Sequence, residues 1–434
     1  MRRQGVGEQI DRHARLDWLD ALRGVAVLLV VYEHATDNIL RAVRVHLDSW
    51  FNPGQAGVFL FFVISGYIVP ASLERRGDLR AFWTGRVFRL YPMMLAGMAA
   101  TLIMLVTGVV SAQSLGVKHG LAAAIASTVM LQDILGLPSV PAVLWSLSYE
   151  MIFYLLVSAL FVVRWHRFSA AWAVAFAAVA VGLGGVLPLV TLPALGLGPR
   201  RAAVLVVVAV VLGVGALVSR RKVLVGAGAV VLTGLAAALL VTSGRFPGWF
   251  LLSIPALMFA GTAVYRAEQG QFSWRVTAPA IGVVFACVMA STWWALSDLS
   301  AASLRSAGPW MGTLTLVAVL FVIGMGLRRR RVPRVLVRLG VISYSVYVVH
   351  YVLILWMGPV MKRHGHEPVF VQLLWALGFL ALTLGVSELT HRFIERPAQR
   401  LGRRVAQALD GRGRHIQQSP QTDLDVPVVA RVGS

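Results

Sequence analysis

The chain has 434 residues, of which 58% are hydrophobic and 14% charged, and its formal net charge is +21. Soluble domains are typically about one quarter charged, so this composition excludes a water-soluble enzyme, a secreted disulfide scaffold and a disordered regulator. The basic residues collect in short loops between apolar runs, which is the pattern of membrane-insertion signals rather than of nucleic-acid binding. The single cysteine, Cys287, lies inside an apolar run and cannot form an internal disulfide.

Twelve apolar runs of membrane-spanning length follow one another along the chain. They are continuous and lack the alternation of barrel strands, so they predict an all-α polytopic membrane helical bundle of about 10–12 transmembrane helices. The runs lie near residues 18–40, 56–73, 91–110, 146–163, 170–192, 201–219, 223–243, 249–266, 276–296, 310–327, 341–361 and 371–394.

A thirteenth and weaker run, at 120–137, is interrupted by Gln132 and Asp133. If this run does not span and the N-terminus is cytoplasmic, most basic residues fall on the cytoplasmic side, including Arg328–Arg331. We therefore predict a re-entrant segment or partly buried hairpin at 120–137, in a multi-pass protein of the cell membrane with both termini in the cytoplasm. The predicted domains are a cytoplasmic segment at 1–16, a membrane domain at 17–397 and a basic tail at 398–434, disordered beyond about residue 405.

The first apolar run carries ionisable groups, which are costly in lipid and therefore candidates for function. Arg23 and His34 are eleven residues apart, so a helix places both on one face with a separation of about 16 Å along its axis. An arginine that snorkels and a histidine at the far interface are the alternative interpretation. Asp37, three residues after His34, is the carboxylate predicted to orient the imidazole in preference to Glu33, and Glu150 is a candidate from another helix.

Two further candidates flank later runs. Arg86 and Arg89 are three residues apart on one predicted helix face, and two forked guanidinium groups suit the phosphates of a ligand. The alternative interpretation is an ordinary positive anchor on the cytoplasmic side. Glu150 opens a run and is followed by thirteen residues without a charge, so we expect it to be protonated or paired with an arginine or a histidine.

Histidines appear in two other places. Ser343, Tyr347 and His350 share one predicted helix face, where the histidine either lines a polar cavity or bonds a neighbouring helix. His364 and His366 lie in a short polar loop without a third ligand nearby in sequence, so no metal site is predicted.

These elements, in this order, resemble the acyltransferase 3 family of bacterial integral-membrane O-acyltransferases. The resemblance extends over residues 17 to 397. The matching elements are Leu22-Arg23-Gly24 with His34, Gly57 to Tyr67 around Ser65-Gly66, Arg86-x-x-Arg89-Leu-Tyr-Pro, Trp145-Ser-Leu-Ser-Tyr-Glu150, Ser343-Tyr-Ser-Val-Tyr347 with His350, and Phe393-Ile-Glu-Arg-Pro397.

The resemblance implies transfer of an acyl group, commonly acetyl, from cytoplasmic acyl-CoA to a hydroxyl group. The acceptors that it implies are carbohydrates of surface polysaccharides or peptidoglycan, and macrolides or related natural products. It also implies that Arg23 and His34 are essential and that Arg86 and Arg89 handle acyl-CoA. The apolar stretch from 170 to 330 departs from the family's usual core of about ten spans.

Elementary chemistry agrees with these roles. Acyl transfer to an alcohol needs a base, donors for the developing oxyanion and a clamp for the phosphates of the donor. We predict His34, Arg23 and Glu150 as catalytic residues and Arg86 and Arg89 as acyl-CoA ligands, with no permanently bound cofactor. The absence of a Gly-x-Ser-x-Gly motif favours direct transfer with His34 as base, and transfer through His34 itself is the alternative.

Two other classes of function compete with the enzyme. A proton-coupled transporter would use Glu150, His34 and His350 as a relay, but the sequence has no inverted repeat with broken helices. A lipid-flipping or purely structural scaffold would leave the arginine pair and the face that carries Arg23 and His34 without a role.

Overall fold

The computed structural model describes residues 2–116, 119–184, 196–219, 221–242, 246–297 and 301–417, with side chains from 17 to 408 outside the gaps and outside 297–306. Within these ranges the chain is helical and contains no strand. The helices are α1 Arg2–Asn38, α2 Arg41–Asp48, α3 Pro53–Arg76, α4 Leu79–Val106, α5 Gly120–Ser127, α6 Trp145–Val162, α7 Ser169–Leu183, α8 Pro199–Leu217, α9 Lys222–Val241, α10 Gly248–Glu268, α11 Trp274–Ser297, α12 Ala301–Leu327, α13 Arg334–Val341, α14 Ser343–Arg363, α15 Val369–Thr390 and α16 Arg396–Gln417.

Eleven segments in the described part of the chain are long and apolar enough to cross a membrane. Each matches one predicted run, which confirms an all-α polytopic membrane bundle. The remaining predicted run, 18–40, corresponds to the second half of α1, which is helical but contains four charged residues, Asp20, Arg23, Glu33 and Asp37. The 120–137 run contains only the eight-residue α5 followed by turns, and its buried residues include Met130 and Leu135. It is a packed segment without a helix long enough to cross a membrane, and the predicted re-entrant segment or hairpin stays a prediction.

The bundle has an inner and an outer set of helices. Most residues in the apolar stretches of α3, α6 and α10 are buried inside the protein, whereas a third or fewer are buried in those of α8, α9 and α11. Exposed valines and leucines on the outer helices, such as Val211 and Leu212, suit contact with lipid tails rather than water. The charged α1 packs against α3, α12, α13 and α14, so its neighbours are mostly protein.

Two glycines allow α1 to approach its neighbours closely. A Cβ atom at Gly57 of α3 would overlap the carbonyl oxygen of Ala26, and one at Gly340 of α13 would overlap that of Asp20. Small residues at such positions let membrane helices pack backbone to backbone. The position of α1, and therefore of its ionisable groups, depends on these contacts.

The C-terminal region differs from the sequence-based expectation. A single π-helical turn, His391–Glu395, joins α15 to α16, and α16 continues to Gln417, beyond the point at which disorder was predicted. The helix α16 packs against α4, where the buried Gly402 lies directly against Phe88. The rest of the predicted tail, 418–434, lies outside the described residues.

We predict that Gly340→Ala destabilises the protein because the added methyl group has no space beside Asp20. Overpacking of this kind costs about 1–3 kcal/mol. Gly215→Ala is the matched control, since a Cβ there would meet nothing within 4 Å. Thermal unfolding of the purified protein in detergent should give a lower Tm for Gly340→Ala than for Gly215→Ala. Equal values would contradict the close approach of α1 and α13.

Candidate active site

An inner cavity lies between α1, α3, α4, α6 and α14. Arg23, Arg86, Arg89 and Glu150, which lie far apart in sequence, all line it. Four of the five predicted site residues therefore share one cavity. Hydroxyl groups complete its polar lining, from Ser65, Ser146, Ser343, Tyr344 and Tyr347.

Arg86 is the most firmly held cation of this cavity. It is buried, and one of its terminal nitrogens donates a hydrogen bond of 2.9 Å to Ser72 Oγ. Its guanidinium carbon lies 5.3 Å from the ring centroid of Phe82 and 5.2 Å from that of Tyr154, within the range of cation–π attraction. These contacts fix the orientation of the guanidinium group before any ligand arrives.

Arg89 differs from Arg86 although the two are one helical turn apart. It makes no hydrogen bond or ion pair within the described part of the chain, and it lines both the inner cavity and a second, outer one. Among the described residues, Arg23 of α1 forms one ion pair, a long contact of 3.5 Å with Asp20. Arg89 and Arg23 therefore keep hydrogen-bond donors available for a ligand.

The outer cavity adjoins the inner one at Arg86 and Arg89. It lies between α4 and α16 and also contains Arg76 and Arg403. The amides of Gln399 and Gln407 line it as well. This arrangement forms a cationic vestibule that leads to the inner cavity.

Glu150 bonds hydroxyl groups rather than cations. Its Oε1 accepts a hydrogen bond of 3.1 Å from Ser65 and another from the hydroxyl of Tyr154. The sequence left two alternatives for Glu150, a protonated group or a group paired with an arginine or histidine, and no ion pair of Glu150 occurs among the described residues. The hydroxyl donors provide the hydrogen bonds that a buried carboxyl group requires.

His34 does not line this cavity. It lies farther along α1, where its ring packs edge-to-face against His350 with a centroid distance of 5.1 Å, and against Tyr351 at 5.4 Å. The wall residue Tyr347 links the two regions, because its ring centroid is 5.9 Å from that of His350. The cations lie at the level of Arg23, and the imidazole lies about three helical turns farther along α1.

The prediction that Asp37 orients His34 was wrong. His34 Nδ1 is 2.9 Å from the carbonyl oxygen of Val30, so the backbone of its own helix fixes the ring. Asp37 and Glu33 instead pair with Arg44 of α2, and Glu33 accepts a further hydrogen bond from Asn52. Both carboxylates thus hold the connection between α1 and α3 and do not contact the imidazole.

Several site residues were not predicted from the sequence. Ser72 and Tyr154 hold Arg86 and Glu150, and Arg403 lies in the segment that was predicted to be a basic tail outside the membrane domain. The i, i+4 spacing of Glu150 and Tyr154 on one helix is a signal that could have identified that pair. The pairing of His34 with His350 joins α1 to α14, and no sequence spacing indicates it.

No group of metal ligands is present among the described residues. Neither His364 nor His366 belongs to a set of three candidate ligands in this part of the chain. The ring of His364 stacks on Trp375 at a centroid distance of 4.9 Å.

The fold and the cavities define a multi-pass membrane protein with a cationic site inside its helical bundle. The family model described as an acyltransferase domain, the acyltransferase 3 family, matches residues 16–392. The chain therefore belongs to this family.

Curated relatives match over short segments only. One is the "Putative peptidoglycan O-acetyltransferase YrhL" of Bacillus subtilis, 36% identical over 86 residues, which are 18% of this chain and 12% of the relative. Another, a "Putative O-acetyltransferase" of Staphylococcus aureus (strain COL), is 33% identical over 118 residues, 25% of this chain and 17% of the relative. The chain thus matches less than one fifth of the length of either relative. No solved structure matches it.

Proposed function

We propose that this protein is a membrane O-acyltransferase that moves an acyl group, acetyl in the simplest case, from cytoplasmic acyl-CoA to a hydroxyl of a carbohydrate or related natural product. The observation that carries the proposal is the convergence of Arg23, Arg86 and Arg89 in one cavity, three helical turns along α1 from His34. Membership of the acyltransferase 3 family and the printed names of the relatives support the same reaction class.

The arginines of the outer cavity and the spacing of Arg23 and His34 along α1 suit the parts of acyl-CoA. The outer cavity, with Arg76, Arg89 and Arg403, provides cations for the phosphates of the nucleotide. The pantetheine arm is comparable with four to five extended peptide units, or roughly 15 Å. The rise from Arg23 to His34 is about 16 Å. If the pantetheine arm enters past Arg89 and extends along α1 from the level of Arg23, its thioester therefore reaches the level of His34.

The cytoplasmic assignment of the donor follows from charge. The outer cavity is formed by the start of α4 and by α16, and both segments contain basic residues that the positive-inside rule assigns to the cytoplasm. Acyl-CoA is cytoplasmic in this proposal, and the acceptor approaches the level of His34 from the other direction. Both termini then lie on the donor side.

In the proposed step, His34 acts as a general base. Because its Nδ1 donates to the carbonyl of Val30, its Nε2 carries the lone pair that accepts the proton of the acceptor hydroxyl. The hydroxyl oxygen forms a bond to the thioester carbon, the carbon–sulfur bond breaks, and the CoA thiolate takes the proton from His34. The products are the ester and free CoA, and no acyl-enzyme is required.

A proton-coupled transporter is the competing function, and consumption of the donor distinguishes the two. Purified protein in nanodiscs is incubated with radiolabelled acetyl-CoA and an extract of acceptor carbohydrates, and free CoA thiol and labelled ester are measured. Release of thiol in step with ester formation supports the transferase. An intact thioester together with proton movement would refute it in favour of transport.

We predict that Arg89→Ala raises the KM for acyl-CoA by about 10- to 100-fold, because a charge-assisted hydrogen bond to phosphate is lost. Arg89→Lys should restore binding only in part, since an ammonium cannot form the planar two-bond contact. Arg403→Ala should raise the KM less. The control is Arg404→Ala, the adjacent arginine of α16, which does not line the cavity. If Arg89→Ala binds acyl-CoA with the parental affinity, these arginines serve only as signals for membrane topology.

We predict that His34→Ala lowers kcat by roughly 10²- to 10⁴-fold, the usual contribution of a positioned general base. Acyl-CoA binding, measured by calorimetry, should change little because the cations lie three turns away. His34→Gln keeps a hydrogen-bonding side chain but accepts no proton, so it should be as inactive as His34→Ala. His364→Ala, in an exposed loop, serves as control. Parental turnover in His34→Gln would mean that another group is the base.

A further inference from the structure

We propose that the protein holds one phospholipid of the cytoplasmic leaflet in a lateral groove between α4, α6 and α8, and that Arg86 binds the phosphate of this lipid. The proposal goes beyond the proposed function, in which Arg76, Arg89 and Arg403 provide the cations for the donor. It assigns a lipid-binding site to the wall of the bundle, beside the two cavities described above.

The lateral groove is apolar and opens on the lipid-facing side of the bundle. Its floor includes the buried side chains of Leu90 and Met151. Its rim includes Val87 of α4 and Val211 of the outer helix α8, which are 42% and 59% exposed. Because these rim residues face the hydrocarbon of the membrane, a lipid chain can enter the groove and cover apolar surface.

The wall of the groove contains one charged side chain among the described residues, that of Arg86. Arg86 also lines the inner and the outer cavity, so it lies where the groove meets both. Its one hydrogen bond in the described part of the chain is to Ser72, which leaves further N–H groups for a ligand. A cation beside hydrocarbon is costly without a counter-charge, and a lipid phosphate supplies the charge together with the chain.

The depth of Arg86 in the membrane suits a lipid phosphate. The helix α4 has 28 residues and is about 42 Å long, which is the thickness of a bilayer with its headgroups. Arg86 is seven residues after Leu79, the first residue of α4, and therefore roughly 10 Å from the end of the helix, near the boundary between headgroups and hydrocarbon.

The flanking helices indicate the leaflet. Arg80 Nε of α4 donates a hydrogen bond of 2.8 Å to the carbonyl oxygen of Val218, which directly follows α8. The start of α4 and the end of α8 therefore lie on the same side of the membrane. The basic residues near both ends assign this side to the cytoplasm.

The acyl chain of a long-chain donor is the other source of hydrocarbon, and its position argues against it. The proposed reaction places the acyl group at the level of His34, which lines neither the groove nor the two cavities. The groove meets the inner cavity at Arg86 and Leu90 instead. A chain in the groove is therefore expected to belong to a molecule whose phosphate lies at Arg86, as in a phospholipid.

The test compares two lipids that differ in the phosphate group. The delipidated full chain in detergent is titrated with phosphatidylglycerol or with diacylglycerol of the same chains, and bound lipid is counted by native mass spectrometry. We expect one phosphatidylglycerol per chain, with a Kd about 10- to 100-fold lower than that of diacylglycerol, because a charge-assisted contact is lost with the phosphate. Equal affinities for the two lipids would overturn the proposal.

Substitutions test the cation and the groove separately. Arg86→Gln should remove the preference for phosphatidylglycerol, and Arg86→Lys should keep part of it because the charge remains. Val211→Trp should fill the groove and abolish the binding of phosphatidylglycerol. The matched control is Val230→Trp at an exposed valine of α9 that does not line the groove. If Val211→Trp binds the lipid as well as Val230→Trp does, the lipid lies elsewhere on the surface and the proposal is wrong.

Competition with acyl-CoA identifies the source of the chain. Neither acetyl-CoA nor palmitoyl-CoA should displace phosphatidylglycerol from the purified protein. Displacement by palmitoyl-CoA alone would assign the groove to the acyl chain of the donor and overturn the lipid proposal. Because binding is measured without turnover, these outcomes are distinct from those of the transferase assay: an inactive preparation that retains one phosphatidylglycerol supports the lipid site while the proposed function fails.

Discussion

The structure depends on one constraint, which is the passage of a charged helix through an apolar bundle. Ionisable side chains are costly in hydrocarbon unless they face protein or a polar cavity. The helix α1 contains Arg23, Glu33 and His34, and it is surrounded by α3, α12, α13 and α14. Gly57 and Gly340 let the backbones approach closely enough for this enclosure. The apolar outer helices can then face lipid, because the polar groups are confined to the centre.

This arrangement separates two kinds of chemistry along one helix. In the second half of α1, Arg23 lines the inner cavity together with Arg86 and Arg89 of α4, the two arginines that also line the outer cavity. Three turns later, the imidazole of His34 meets that of His350. Between these levels, the hydroxyl of Tyr347 bonds Ser146 and the carbonyl of Val143. A long ligand with an anionic head and a reactive end matches this layout better than a small substrate does.

Much of the fold could be predicted from the sequence, because membrane spans are encoded in local runs of apolar residues. The convergence of Arg23, Arg86, Arg89 and Glu150 in one cavity also agrees with the roles inferred from the motifs. Contacts between distant segments could not be predicted. Short-range spacing favoured Asp37 as the partner of His34, but Arg44 of α2 competes for that carboxylate and the helix carbonyl takes its place. The prediction of a separate tail at 398–434 rested on composition, and composition does not reveal that Gly402 fits against Phe88.

The absence of a carboxylate at His34 has a consequence for the proposed reaction. A carboxylate beside a catalytic imidazole would stabilise the imidazolium ion, as it does in serine hydrolases. Here the ring is oriented by the carbonyl of Val30, while Arg44 engages the nearby carboxylates of Glu33 and Asp37. The dipole of the Val30 carbonyl fixes the tautomer of His34, but in an apolar environment it stabilises the full positive charge of an imidazolium ion poorly. The transferred proton should therefore not rest on His34. It should pass to the departing thiolate as the carbon–sulfur bond breaks, so that the imidazole carries the proton only within the transfer itself.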